Sequence, residues 1–138
     1  MSLCKGILYA LPAHQIHRQC FTNAWTEKEF SDLLNLSTSQ LWLNENGLLL
    51  CSEVADEMEI LTFGVIPEKR HQGEGIRLIN QMLEYAQKNG ISKIFLDVAE
   101  NNVPAIRLYE KTGFQKVNVR KGYYENGQVN ALVYMKTL

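Results

Sequence analysis

Two clusters of residues in this chain have types and spacing that could do chemistry. The first runs Phe63-Gly-Val-Ile-Pro-Glu-Lys-Arg-His-Gln-Gly-Glu-Gly-Ile-Arg-Leu78. It reads as a strand, a glycine-containing loop and a helix start. Gly73 and Gly75 let successive backbone N–H groups turn toward one spot, and the helix adds its partial positive end. Lys69 and Arg70 add full charge. The combination is a cradle for an anion and suits a pyrophosphate best. It is not the Walker loop, because no Gly-Lys-Ser/Thr follows. It is not the dinucleotide fingerprint, because a third glycine at the required spacing is missing. Taken alone, a glycine-rich turn that holds no ligand is the competing reading.

The second cluster is Asp97 followed by Asn102-Val-Pro-Ala-Ile-Arg-Leu-Tyr-Glu-Lys-Thr-Gly-Phe114. Asp97 alternates with Phe95 on an otherwise apolar strand pattern, where a carboxylate is costly unless it is paired or does work. Proton acceptance is one such task, and a structural ion pair is the other. Tyr109 falls within a helical pattern beside Ile106 and Leu108, a spacing that a core tyrosine would also show. His14, His17 and Cys20 share one helical face but have no fourth ligand, so no metal site is expected. The three cysteines have no neighbouring histidine in sequence, which argues against a cysteine nucleophile.

The elements that must position these groups follow from local signals. Lys5–Ala10 reads as a first strand and Pro12–Phe21 as a short helix. Thr26 with Glu29 makes a capping box for a helix to about Leu36. Leu41–Asn44 and Gly47–Val54 read as strands joined at Asn46-Gly47, a hairpin signal. Met58–Ile66 forms a longer strand in which Gly64 marks a bulge or a close approach to the backbone. Gly75–Asn89 carries Ile76, Ile79, Leu83 and Ala86 on one helical face and is stopped by Asn89-Gly90. Ile91–Val98 is a strand. Asn102 caps a helix that tolerates Pro104 in its first turn and stops at Gly113. Phe114–Lys121 and Ala131–Lys136 close the chain as strands. Helical connections on either side of Ile91–Val98 predict parallel neighbours there. The class is α/β or α+β with a mixed sheet.

Size and composition agree with one domain over residues 1–138. Hydrophobic residues are 46% and charged residues 21%, which excludes a disordered or fibrous chain. The net charge of −1 excludes general binding to a nucleic-acid backbone. No apolar run approaches the ~20 residues of a membrane helix, and the run Ile7–Leu11 is too short for a signal peptide. Three widely spaced cysteines show no disulfide framework, so a cytoplasmic protein is expected. Charge is uneven. Residues 66–121 hold ten Lys/Arg and six Asp/Glu, whereas the rest hold four and nine.

With both clusters in view, the chain resembles the GNAT superfamily of N-acetyltransferases. The family's acetyl-CoA loop, Gln/Arg-x-x-Gly-x-Gly/Ala, is matched by Arg70-His71-Gln72-Gly73-Glu74-Gly75. Its later motif, Asn-x-x-Ala-x-x-Leu-Tyr-x-x-x-Gly-Phe, is matched by Asn102, Ala105, Leu108, Tyr109, Gly113 and Phe114. Trp25-Thr-Glu-Lys-Glu-Phe30, Arg120-Lys-Gly-Tyr-Tyr124 and Ala131-Leu-Val-Tyr-Met135 resemble the RimI-type branch, whose members acetylate the N-terminal alanine of a small-subunit ribosomal protein. The resemblance implies a mixed, mostly antiparallel sheet of six to seven strands flanked by about four helices. It implies that Phe63, Gly64 and Val65 hold the acetyl group and pantetheine arm. Arg70, His71, Gln72, Gly73, Glu74, Gly75 and Ile76 would cradle the pyrophosphate, and Asn102 would hydrogen-bond the same molecule. Asp97 would accept the proton and Tyr109 would donate one to the departing thiolate. Trp25, Tyr123 and Tyr124 would face the acceptor. The implied partners are acetyl-CoA as co-substrate and a protein N-terminus, with no nucleic acid and no membrane, in a monomer or weak dimer.

Two departures from the family pattern bear on chemistry. The base in RimI-like enzymes is glutamate, and Asp97 is one methylene shorter, which favours a water relay. Glu74 brings an acid into the phosphate loop, with its side chain expected to point outward. Acceptor class also follows from proton arithmetic. An α-amine of pKa ~7.7–8.0 loses its proton near pH 7.4 for under about 1 kcal/mol, whereas a lysine at ~10.4 costs about 4. Three readings result: an N-terminal protein acetyltransferase, a GNAT enzyme acting on a small amine, and an acetyl-CoA-binding regulator without catalysis. Turnover of peptides, turnover of small amines only, and binding without transfer separate them. A backbone N–H freed near Gly64–Val65 is the expected donor to the oxyanion of the reaction.

Overall fold

The computed structural model describes residues 3–138. Its helices are α1 (Ala10–Cys20), α2 (Glu27–Leu34), α3 (Glu74–Lys88) and α4 (Val103–Lys111). Its strands are β1 (Ser39–Leu43), β2 (Gly47–Val54), β3 (Glu57–Val65), β4 (Lys93–Ala99), β5 (Gln115–Tyr124) and β6 (Val129–Thr137). They form one six-stranded sheet in the order β1-β2-β3-β4-β6-β5. Every neighbouring pair is antiparallel except β3 and β4.

The sheet separates two apolar layers, and β2 shows how. Leu48 and Leu50 pack with Ala10, Ala13, Phe30 and Leu34 beneath α1 and α2. Leu49 and Cys51 pack with Leu78, Ile79 and Met82 of α3 on the opposite face. The period of two along a strand makes this division. Local chemistry fixes the helix ends. Glu29 N donates to Thr26 Oγ1 and Thr26 N donates to the Glu29 carboxylate, completing the capping box of α2. Asn102 Oδ1 accepts from Ala105 N at the start of α4.

Three expectations change, and a fourth, the hairpin, is met by other means. Lys5–Ala10 is not a strand: Ile7–Tyr9 is a 3-10 turn leading straight into α1, and only Cys4 makes an isolated bridge to Leu41. The buried face there is Ala10, Ala13 and His17, a helical spacing, and Pro12 sits in the first turn where no N–H is needed. On one side β4 has the parallel neighbour β3, but on the other it pairs with antiparallel β6. The chain crosses from β4 through α4 to β5 at the sheet edge, and β6 then returns into the gap. The Asn46-Gly47 hairpin forms without the left-handed backbone usually associated with that pair. Asn44 Oδ1 accepts from Asn46 N and Gly47 N instead, and a Cβ on Gly47 would lie 2.6 Å from Gly64 O. Finally, β5 does not end at Lys121 but extends to Tyr124, so Tyr123 and Tyr124 are strand residues.

One irregularity shapes the functional region. Leu50 pairs with Thr62 and Cys51 with Ile60, so Leu61 is an extra residue in β3. The bulge lies here and not at Gly64. The β3–β4 ladder runs from Glu57–Lys93 to Ile60–Leu96 and stops at the bulge. Beyond it β3 stays with β2 to Val65 and β4 stays with β6 to Ala99. A wedge-shaped gap opens between the two central strands.

Candidate active site

The wedge is the centre of a cleft of about 770 Å³. One lip is β3 from Ile60 to Val65 and the other is β4 from Asp97 to Ala99. Backbone groups that would have continued a parallel ladder face the cleft, so an extended ligand can take the place of a strand between them. Cys20 and Phe21 at the end of α1, and Pro104, Ala105, Leu108 and Tyr109 of α4, complete the walls.

At the far end lies the start of α3. Gly73 is its N-cap at φ +85°, with no side-chain hydrogen bond capping the helix. The first N–H groups of a 15-residue helix are therefore open to an anion at the cleft mouth. Gly75 is required for packing: a Cβ there would lie 3.0 Å from Leu108 Cδ2 and 3.3 Å from Phe63 Cζ. His71 takes a left-handed backbone at φ +64°, a strained conformation for a residue with a side chain. Arg70 donates from Nε to Val65 O at 2.9 Å and from a terminal nitrogen to Cys20 O at 3.4 Å. It ties the loop to β3 and α1 while lining the cleft. Uncapped N–H groups, an arginine and a channel of ligand size fit a pyrophosphate joined to a slender arm.

Asp97 projects from β4 with Phe95 and Ala99, away from the face that carries Ile94, Leu96 and Val98. Its side chain is 18% exposed, and Arg120 Nε stands 3.6 Å from its Oδ1. The Arg120 guanidinium also lies over the Tyr123 ring, 5.5 Å from the centroid. Tyr109 is buried between Phe63 and Phe114. Burial pushes its phenol well above the ordinary tyrosine range, and the Cys51 and Tyr124 groups push the same way. Tyr124 is half-buried and also raised, by burial first and then by Asp97 and Tyr123, with Arg120 opposing.

On the face covered by α1 and α2 over β1–β3, the sheet beyond is bare. There Phe95, Asp97, Val133, Arg120 and the acids Asp56, Glu57 and Glu59 line a groove of about 580 Å³. Asp97 alone among the described residues lines both the groove and the cleft.

The structure brings most of the sequence-named residues together. Phe63, Gly64, Val65, Arg70, His71, Gly73, Gly75, Ile76, Asp97, Asn102, Tyr109 and Tyr124 all line the cleft. Gln72, Glu74, Trp25 and Tyr123 do not. Gln72 donates back to Glu68 O at 3.0 Å. Glu74 does not point outward as expected: its Oε2 is enclosed by protein with no hydrogen-bond partner. Trp25 stacks on His17, 5.1 Å between centroids, and packs on Phe30 between α1 and α2. Tyr123 is exposed and meets Tyr124 edge-on. The space beside Gly64 is filled by α1, since a Cβ there would lie 3.0–3.2 Å from Phe21 and Cys20 atoms. The missing side chain admits the helix end. His14 and His17, weighed for a metal, both serve packing: His14 Nδ1 bonds Trp25 O, and His17 bonds Trp25 N and Thr62. Sequence reasoning missed Cys20, Phe21 and Thr62. Thr62 could have been found only as the neighbour of Phe63, and nothing local flags the end of α1.

A family model described as "Acetyltransferase (GNAT) family" matches residues 11–114. The chain is 28% identical over 127 residues to the [ribosomal protein bS18]-alanine N-acetyltransferase of Escherichia coli, with 88% of this chain and 86% of that protein covered. The crystal structure of the Escherichia coli ribosomal-protein-S18-alanine N-acetyltransferase superposes with a TM-score of 0.87 at 22% identity, covering 99% of this chain and 92% of that one. Arabidopsis thaliana NAA60 in complex with acetyl-CoA gives 0.79 at 20% identity, covering 99% and 100%.

Proposed function

From the premise that this chain belongs to the acetyltransferase (GNAT) family, we propose that it acetylates the N-terminal α-amine of a protein, with a ribosomal-protein N-terminal alanine as the model acceptor. Acetyl-CoA is the acyl donor. The observation that carries the reading is the position of Asp97, where the donor cleft meets the open groove. Two substrates entering from opposite faces of the sheet would meet at its carboxylate.

The geometry supports the following roles. The open N-terminus of α3, with Arg70 beside it, holds the donor's phosphates. The separated edges of β3 and β4 align its arm. The acids Asp56, Glu57 and Glu59 make the groove attractive to a positively charged peptide end. Asp97 accepts the amine proton through a water, because the α-amine needs little help to become neutral. Tyr109 keeps its proton at Oη throughout the neutral range because burial holds the phenol protonated. It is thus available as the donor to the leaving sulfur. The acceptor protein belongs to the cytoplasm in this reading, and the enzyme acts as a monomer or weak dimer. Among the described residues no helix is long and apolar enough to cross a membrane.

The test is peptide mapping by mass spectrometry after incubation with acetyl-CoA and a peptide bearing N-terminal alanine and an internal lysine. One acetyl group on the α-amine is expected. Transfer to the lysine, or to small amines alone, would overturn the acceptor assignment.

A further inference from the structure

The mechanism above leaves the buried imidazole of His17 unused. His17 is 2% exposed and sits on α1 against the lip of the cleft. Its Nδ1 accepts the Trp25 backbone N–H at 3.1 Å. Its Nε2 lies 2.9 Å from Thr62 Oγ1. A backbone N–H can only donate, so Nδ1 must be the acceptor nitrogen, and a neutral ring then carries its proton on Nε2. Nε2–H therefore donates to Thr62 Oγ1. The hydroxyl proton of Thr62 is released from the histidine and must be offered elsewhere.

Where it is offered follows from the bulge. Thr62 is the first residue past the extra Leu61, one step beyond the last β3–β4 rung. It lines the cleft, on the lip facing Asp97. A chain of donors running Nε2–H to Oγ1–H is polarised in one direction, which strengthens the terminal donor. The Trp25 backbone and the packing of the His17 ring among Phe21, Trp25 and Phe30 fix that direction before any ligand arrives.

We propose that the Thr62 hydroxyl, oriented by His17, is a hydrogen-bond donor to the thioester carbonyl oxygen and to the oxyanion it becomes. This rests on the reading that the cleft holds acetyl-CoA for transfer to an amine. The amine nitrogen bonds to the carbonyl carbon, and the C=O π pair moves onto oxygen, which Thr62 Oγ–H stabilises without giving up its proton. The pair returns as the C–S bond breaks. The amine loses one proton to the Asp97 water and the thiolate gains one from Tyr109. Thr62 touches the reacting atoms, whereas His17 is a positioning residue acting through it.

The test compares Thr62→Val, which keeps shape and removes the hydroxyl, with Thr62→Ser, which keeps the hydroxyl. Acetyl-CoA labelled with ¹³C at the carbonyl is bound to wild type and both variants, and its C=O band is read by isotope-edited infrared difference spectroscopy. The band is expected to move to higher wavenumber in Thr62→Val and to stay near wild type in Thr62→Ser. Loss of one such donor lowers kcat by ~10²-fold or more, so that fall is expected for Thr62→Val, with KM for acetyl-CoA within about twofold and most activity kept by Thr62→Ser. One band position in all three proteins, or an unchanged kcat, would show that the pair only fastens α1 to the sheet. The infrared reading needs no acceptor. A wild type that acetylates no peptide would therefore count against the proposed acceptor while leaving the Thr62 assignment to stand or fall on the band.

Discussion

Replacing Tyr109 by phenylalanine removes one oxygen from the cleft wall and nothing else. The ring is 6% exposed and keeps its contacts with Phe63 and Phe114 at 6.1 and 5.8 Å. Among the described residues the hydroxyl has no hydrogen-bond partner, so no buried group is orphaned by its loss. The stability change should then stay within about 1 kcal/mol, or roughly 2–4 °C in Tm at this chain length. Activity should behave differently. Losing the proton donor to a thiolate costs ~10²–10⁴ in kcat, or about 3–5 kcal/mol of barrier. Acetyl-CoA affinity should be kept. The assay is single-turnover acetyl transfer beside isothermal titration with acetyl-CoA. A second signature comes from alkali. The folded-state pKa of Tyr109 is raised above the ordinary value near 10, so its contribution is full below pH ~10 and lost as pH rises beyond it. Tyr109→Phe should therefore lose less stability than wild type above pH 10. A variant retaining kcat within threefold would remove Tyr109 from the mechanism.

Three further outcomes follow from the same geometry. Asp97→Asn should lower kcat for peptide acetylation by ~10²-fold with KM for acetyl-CoA unchanged, and full activity in steady-state kinetics would assign the base elsewhere. Gly75→Val should weaken acetyl-CoA binding at least tenfold. Its Cβ would already stand 3.0 Å from Leu108, and overpacking at such a site costs about 1–3 kcal/mol; titration showing native affinity would contradict the packing argument. Burial, with His14 adding to it, lowers the His17 pKa from 6.5 to about 4. The folded state binds this proton later than the unfolded chain. The associated stability is thus complete above pH 6.5 and declines toward pH 4, by about 3 kcal/mol. His17→Gln should flatten the profile in that window by urea denaturation, and an unchanged slope would refute it.

The contrast between α2 and the first segment shows what local sequence encodes. Thr26 and Glu29 satisfy each other three residues apart, so the capping box needs no partner from elsewhere and was readable. The run Ile7–Leu11 carries no such signal. Its helical identity depends on Ala10, Ala13 and His17 finding β2 and β3, a tertiary event. The same distinction holds in the site. The two motifs lie within 16 and 13 residues of chain, and both reach the cleft. The bulge at Leu61 is defined only against β2 and no residue type marks it, whereas Gly64 signals the other of its two readings, the close approach of Cys20 and Phe21 to the backbone. Tyr123 and Tyr124 meet edge-on, 5.0 Å between ring centroids, where the β5–β6 register shifts between Arg120 and Tyr124, and no residue pattern says which of the two lines the cleft. The placement of β6 between β4 and β5 is likewise unmarked by any residue pattern, because helical crossovers fix strand direction and not which strand fills the gap.

The central claim is that donor and acceptor enter from opposite faces of the sheet and meet at Asp97. A crystal structure with a bisubstrate molecule, coenzyme A joined through an acetyl bridge to the α-amine of an alanine peptide, tests it most directly. The pyrophosphate is expected at the α3 N-terminus, the arm between β3 and β4, and the peptide over Phe95 and Val133 with its amine beside Asp97. A peptide leaving the cleft on the α3 side, or a coenzyme bound away from Gly73–Ile76, would contradict it.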